Sequence, residues 1–118
     1  MQSNNQNLSE TDYRELAPKL TELLEKLIKL NGSDLHITTN TEPRMRINGD
    51  LKPLSDYPIL STSETKAYAY SVMSEKQISV FEEKHELDLS FGIQGLSRFR
   101  VNVFDQRNGI GVVFRAIP

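Results

Sequence analysis

LSRFRVNVFDQRNGIGVVFRAIP, residues 96 to 118, decides how the rest of the chain is read. From Phe99 the apolar residues Phe99, Val101 and Val103 alternate with Arg98, Arg100 and Asn102, the period of two expected of a strand half buried on a core. Asp105 to Gly109 supply turn chemistry, with Asn108 and Gly109 suited to positive φ, so the chain is expected to return as a strand from Ile110 to Ala116. With Val112 and Phe114 facing the core, Val113 and Arg115 face outward. Arg98, Arg100 and Arg115 are thereby expected on one sheet face.

The charge of this segment contrasts with that of the whole. Four of the seven arginines lie in it, with no lysine and one acid, although the chain carries a net charge of −2. A guanidinium is a rigid fork of donors matched to carboxylate and phosphate, so arginine clustered without lysine points to a planar or anionic partner. The competing reading is a solvated outer face whose ion pairs are worth roughly 0–1 kcal/mol each. Spacing does not separate the two.

A length of 118 residues, 37% hydrophobic and 25% charged, implies one domain around one core. No apolar run approaches a membrane span, and the start, MQSNNQNLSETD, lacks the basic and apolar regions of a signal peptide. The absence of cysteine excludes a disulfide framework and thiolate chemistry and is compatible with a reducing cytoplasm. A slightly acidic chain without aromatic interleaving among its basic residues implies no nucleic-acid partner.

Residues 1–12 lack apolar periodicity and are expected to form a flexible tail, with a folded domain over 13–118 and an earlier turn from Tyr13 to Leu16. Leu20, Leu23, Leu24, Leu27 and Ile28 then follow helical spacing, with Pro18 in the first turn and Gly32 placed as the terminator. A short strand enters the core through Leu35 and Ile37, with Asp34 and His36 on its other face; Asp34 also stands where it could close the helix. Arg44 to Ile47 alternates likewise, and Asn48-Gly49 marks a tight reversal into Asp50 to Leu54, a hairpin whose polar face carries Arg44, Arg46 and Asn48. Ser61 with Glu64 and Ser74 with Gln77 are capping boxes. They open one helix over about Thr62 to Met73, offering Ala67, Tyr70 and Met73 to the core, and another over about Glu75 to Lys84, offering Ile78 and Phe81. Leu87, Leu89 and Phe91 form a further strand, turned by Gly92 to Gly95. The expected class is α+β, a mostly antiparallel sheet with helices on one face.

No self-sufficient active site assembles from these residues. His36 and His85 lack metal-site companions, so no metal is expected, and Glu82 with Glu83 point apart on a helix. There is no Gly-Lys dipeptide, which excludes a phosphate-cradling loop with its lysine and hence a catalytic residue of that kind within the chain.

Gly32-Ser33-Asp34-Leu35-His36-Ile37, Glu42-Pro43-Arg44-Met45-Arg46-Ile47-Asn48-Gly49-Asp50-Leu51 and Leu87-Asp88-Leu89-Ser90-Phe91 together resemble the N-terminal domain of the type IV pilus retraction ATPases, the PilT family. The ending Ser97 to Phe104 with Gly109, Gly111, Phe114-Arg115, Ile117 and Pro118 is similar to the retraction branch, and the resemblance runs in order from about Leu20 to Pro118. It departs at Asn48, where the family commonly carries Asp. The resemblance implies a PAS-like α+β domain preceding a RecA-like ATPase domain in a homohexameric cytoplasmic motor, peripheral to the inner membrane, that engages a pilus platform protein. It implies ATP and Mg²⁺ for the parent and no cofactor for this segment. It places Arg100 and Arg115, with Arg98 close by, near the nucleotide phosphates of a neighbouring subunit, and gives Asp34, His36, Asn48 and Gly49 structural roles. Two other readings stay open: an extension or type II secretion ATPase or retraction paralogue, and a free-standing PAS-like sensor with an internal ligand pocket.

Overall fold

Pro18–Lys29 form α1 in the computed structural model, which describes residues 17–118. The expected tail over 1–12 and the turn over 13–16 lie outside the described residues. Leu20, Leu23, Leu24 and Leu27 are fully buried along one stripe of α1. The helix does not end on Gly32. Asn31 takes the left-handed conformation (φ 58), its N–H donating to the Ile28 carbonyl at 3.0 Å, while the Gly32 N–H donates to the Leu27 carbonyl at 2.9 Å. These two bonds satisfy the last carbonyls in the Schellman arrangement, with asparagine in the place glycine usually holds. Gly32 instead permits close packing: a Cβ there would lie 2.7 Å from Cδ1 of the buried Leu27 and 3.1 Å from the Arg46 carbonyl, so the core would have to shift to admit it.

Asp34–Ile37 form β1, Arg44–Ile47 β2 and Asp50–Pro53 β3, with β2 and β3 joined by a two-residue turn in which Asn48 (φ 53) and Gly49 (φ 85) are both left-handed. Thr62–Ser71 form α2 and Glu75–Lys84 α3; Glu86–Ile93, Ser97–Gln106 and Gly109–Ile117 are β4, β5 and β6. Both capping boxes are complete, Ser61 Oγ accepting from the Glu64 N–H at 3.2 Å and Ser74 Oγ from the Gln77 N–H at 3.1 Å. Ser61→Ala or Ser74→Ala is therefore expected to cost about 1 kcal/mol each in urea unfolding, with the fold retained.

The six strands form one antiparallel sheet in the order β3-β2-β1-β6-β5-β4. Phe99, Val101, Val103, Val112 and Phe114 lie on its inner face at 0% exposure, in the same core as the buried residues of all three helices. Two expectations are corrected. The β5–β6 reversal is made by Arg107-Asn108, with Gln106 paired to Gly109, and only Gly109 has positive φ. A Cβ at 109 would lie 2.6 Å from Thr39 Oγ1, so the close approach of the loop after β1 demands glycine there. In α2, Ala67 is exposed, and Thr65, Tyr68 and Ala69 turn inward, followed by Val72 and Met73. The buried Thr65 hydroxyl satisfies itself between Thr39 Oγ1 and the Thr62 carbonyl, each at 3.0 Å.

Candidate functional site

Residues directly opposite one another in an antiparallel pair project to the same face, so the strand registers read as rows across the sheet. One row on the outer face runs Ser90, Arg100, Arg115, Asp34, Arg46, Leu51. The next runs Asp88, Asn102, Val113, His36, Arg44, Pro53. Arg98 lies beyond the first row, opposite Ile117. The expectation that Arg98, Arg100 and Arg115 share a face holds, and the pairing of β1 with both β6 and β2 adds Arg46 and Arg44 to it.

The arginines on this face differ in their partners. Arg46 Nε donates to Asp34 Oδ2 at 3.4 Å, and its Nη1 donates to the Gly49 carbonyl at 3.3 Å. Arg44 Nη2 donates to Thr38 Oγ1 at 3.3 Å, while its buried Nε finds no acceptor among the described residues. Arg98, Arg100 and Arg115 are exposed and make no ion pair among the described residues. Arg100 and Arg115 are direct cross-strand neighbours. Two like charges so placed destabilise a sheet by a few tenths of a kcal/mol to about 1 kcal/mol, a penalty that a bridging anion removes. Arg98 projects differently: its Nη1 lies 2.8 Å from where a Cβ of Gly92 would stand, so its guanidinium lies over β4 toward the sheet edge.

At the centre of the first row Asp34 is 5% exposed. Its Oδ1 accepts from Ser33 Oγ at 2.6 Å and its Oδ2 contacts His36 Nε2 at 2.5 Å. Asp34 does not cap α1, as its position beside Gly32 allowed; its bonds within β1 and to Arg46 on β2 tie two strands together. Burial works against ionisation, but the Ser33 and His36 hydrogen bonds and the charges of His36 and Arg46 outweigh it and hold the carboxyl below its ordinary value. A depressed folded-state pKa means stability that is present above the unfolded value and lost as pH falls through the folded one. Asp34→Asn is expected to unfold about 1.5–3 kcal/mol more easily at neutral pH, the deficit shrinking as acid protonates the wild-type carboxyl. Urea titrations across the acid range read this directly.

Asn48 and Gly49 stand apart from this cluster in the β2–β3 turn, joined to it by the Arg46 bond to the Gly49 carbonyl. Among the described residues there is no group of three or more His, Cys, Asp or Glu side chains able to hold a metal, and no helix is long and apolar enough to cross a membrane. Sequence reading missed that Arg44 and Arg46 join the same face as Arg100 and Arg115, because alternation gives the side of each strand but not the order of strands in the sheet.

No protein-family profile matches the chain. It is 42% identical over 99 residues to the type IV pilus retractation ATPase PilT of Pseudomonas aeruginosa, covering 84% of this chain and 28% of that protein. It is 40% identical over 95 residues to the type IV pilus ATPase PilU of the same organism, covering 80% and 25%. Among solved structures it superposes on the pilus retraction motor PilT with bound ADP with a TM-score of 0.76 at 43% identity, covering 82% of this chain and 28% of that one. The ATPase DotB of Legionella pneumophila, at 22% identity and a TM-score of 0.72 over 89% of this chain and 30% of its own, shares the fold. The chain thus spans about a quarter of the length of the curated relatives it matches.

Proposed function

This chain is homologous to the N-terminal domain of the PilT family of type IV pilus ATPases, and we propose that it serves as the regulatory and oligomerising domain of a pilus retraction motor. In this reading residues 13–118 form a PAS-like module that precedes a RecA-like ATPase domain in the parent protein. The parent binds ATP and Mg²⁺ and assembles as a cytoplasmic homohexamer at the inner membrane, against the pilus platform protein. The module packs on the ATPase domains of its own and a neighbouring subunit and converts nucleotide turnover into rigid-body motion.

The observation that carries the reading is the Arg100–Arg115 pair, two exposed guanidinium groups on adjacent central strands with no carboxylate partner among the described residues. Their side chains stand together on a rigid sheet, the arrangement suited to accept a polyphosphate presented by a neighbouring subunit. There the pair would stabilise charge that develops on the phosphoryl oxygens during transfer. Arg98, one step further along β5, extends the positive field of the face. A ligand-sensing domain would need an enclosed cavity between sheet and helices. That interior is instead occupied by side chains such as Leu24, Leu35, Phe99 and Phe114 at 0% exposure, which favours the interface role.

The test is ATP turnover by the whole parent protein carrying Arg100→Ala or Arg115→Ala, with its assembly state measured in parallel. Loss of turnover in an intact hexamer supports the reading, and full turnover in an intact hexamer overturns it.

A further inference from the structure

We propose that the free edge of β4 binds an extended peptide in which an apolar residue stands next to an acidic one. β4 is an end strand of the sheet. The Asp105 N–H donates to the His85 carbonyl at 3.1 Å, which sets the phase of the β4–β5 ladder. By the antiparallel alternation, Leu87, Leu89, Phe91 and Ile93 direct their backbone groups to β5, and Glu86, Asp88, Ser90 and Gly92 direct theirs outward. These four residues are at the surface or half-exposed, so the row of outward donors and acceptors is open.

The two ends of the sheet are protected differently. β3 is four residues long and carries Lys52 and Pro53, devices that discourage strand addition. β4 is eight residues long and carries neither lysine nor proline. Alongside it lies a cleft of about 640 Å³ that is open to solvent, bordered by Val72, Ser74 and Gln77 on the helix side and by Leu89, Phe91 and, in the β4–β5 turn, Leu96 on the other. Arg98 also lines this cleft, its guanidinium over Gly92 and without an ion-pair partner among the described residues.

These features define the occupant. Successive side chains of an added strand point to opposite faces. A side chain turned toward the helices meets Val72, Leu89 and Phe91, and its neighbour in sequence, turned to the outer face, meets Arg98. An apolar residue adjacent to Asp or Glu satisfies both, while the outward backbone groups of Ser90 and Gly92 supply the ladder bonds. The exposed carboxylates of Glu86 and Asp88 give the far end of the groove the opposite charge, which favours a basic residue there and fixes the direction of the peptide. This edge is distinct from the Arg100–Arg115 pair and stands whether or not that pair meets phosphate.

The experiment titrates the isotopically labelled 118-residue chain with a synthetic peptide that alternates Thr and Val around a central Leu-Glu pair. Expected is saturable binding in which amide exchange slows at Ser90 and Gly92, while Leu89 and Phe91, already bonded to β5, change little. Arg98→Glu should weaken binding about tenfold or more, and a Leu-Lys version of the peptide should bind Arg98→Glu better than wild type. Ser90→Pro, which removes an outward N–H without touching the β5 ladder, should abolish binding in a chain that keeps its circular dichroism. Absence of saturable binding, protection at other strands, or equal affinity of Arg98→Glu for both peptides would overturn the proposal. So would a dimer of the chain that Ser90→Pro disperses, since the edge would then belong to a second copy.

Discussion

On the proposed reading, ATP turnover by the full-length parent is expected to fall by a factor approaching 10³–10⁵ when Arg100 or Arg115 is replaced by alanine, the range over which an arginine supplied to a phosphoryl-transfer site has its effect. The pair stands on the two longest strands, β5 and β6, each hydrogen-bonded on both sides. Each side chain therefore projects from backbone that the substitution does not disturb. Both arginines are exposed, so folding should change by no more than about 0.5 kcal/mol, and relief of the like-charge contact makes a slight stabilisation the expected sign. The double variant should lose little more than the stronger single variant, because two groups acting on one phosphate cluster are not additive. Arg100→Lys separates charge from shape. If the planar fork matters, lysine recovers only a small part of the rate. Arg107→Ala, in the exposed β5–β6 turn and away from the row, should leave turnover intact. Turnover maintained in Arg100→Ala and Arg115→Ala with the hexamer present would return this face to ordinary solvated charge.

How much of this was legible in the sequence depended on whether the governing interaction was local. The capping boxes, the Asn48-Gly49 turn and the alternation of β5 and β6 are set by residues within a few positions of one another, and all appear where sequence reading places them. The corrected details turn on contacts between distant segments. Gly109 owes its identity to Thr39, seventy positions earlier in the chain, and Thr65 faces inward because its hydroxyl meets that same Thr39. A threonine does not announce itself as a core residue, so apolar letters alone found Met73 and the half-buried Tyr70 but put Ala67 inward in place of Thr65. The candidate site divides in the same way. Arg100 and Arg115 are visible as outward residues of one hairpin. That Asp34 would lie opposite Arg115 and Arg46 follows from a strand order that the chain reaches by placing β1 beside β6, a choice made by burial across the whole sheet.

Phe114→Ala is expected to destabilise the domain by about 3–5 kcal/mol, the cost of removing a fully buried aromatic side chain and leaving a cavity that neighbouring groups fill only in part. Phe114 is at 0% exposure on β6, paired to Leu35 on one side and Val101 on the other, and its ring meets Phe91 edge-on at 6.2 Å between centroids. The same strand offers its own control. Val113, one residue earlier, projects to the outer face between Asn102 and His36 and is half-buried, so Val113→Ala should cost no more than about 1 kcal/mol. A loss of 3–5 kcal/mol is a large part of the roughly 5–15 kcal/mol that holds an ordinary domain together. For a domain of this size it lowers the melting temperature by roughly 4–8 °C per kcal/mol. Urea unfolding separates a change of stability from a change of native structure: the midpoint should fall while the denaturant slope stays near that of wild type. Because β6 also carries Arg115, the two predictions meet on one strand. Below its melting transition Phe114→Ala in the parent should keep turnover well above that of Arg115→Ala, since its loss acts on how much of the domain is folded and not on the group that the proposed reading brings to phosphate. Comparable costs for Phe114→Ala and Val113→Ala would contradict the assignment of β6 to two unlike faces, and with it the placement of Arg115 on the outer one.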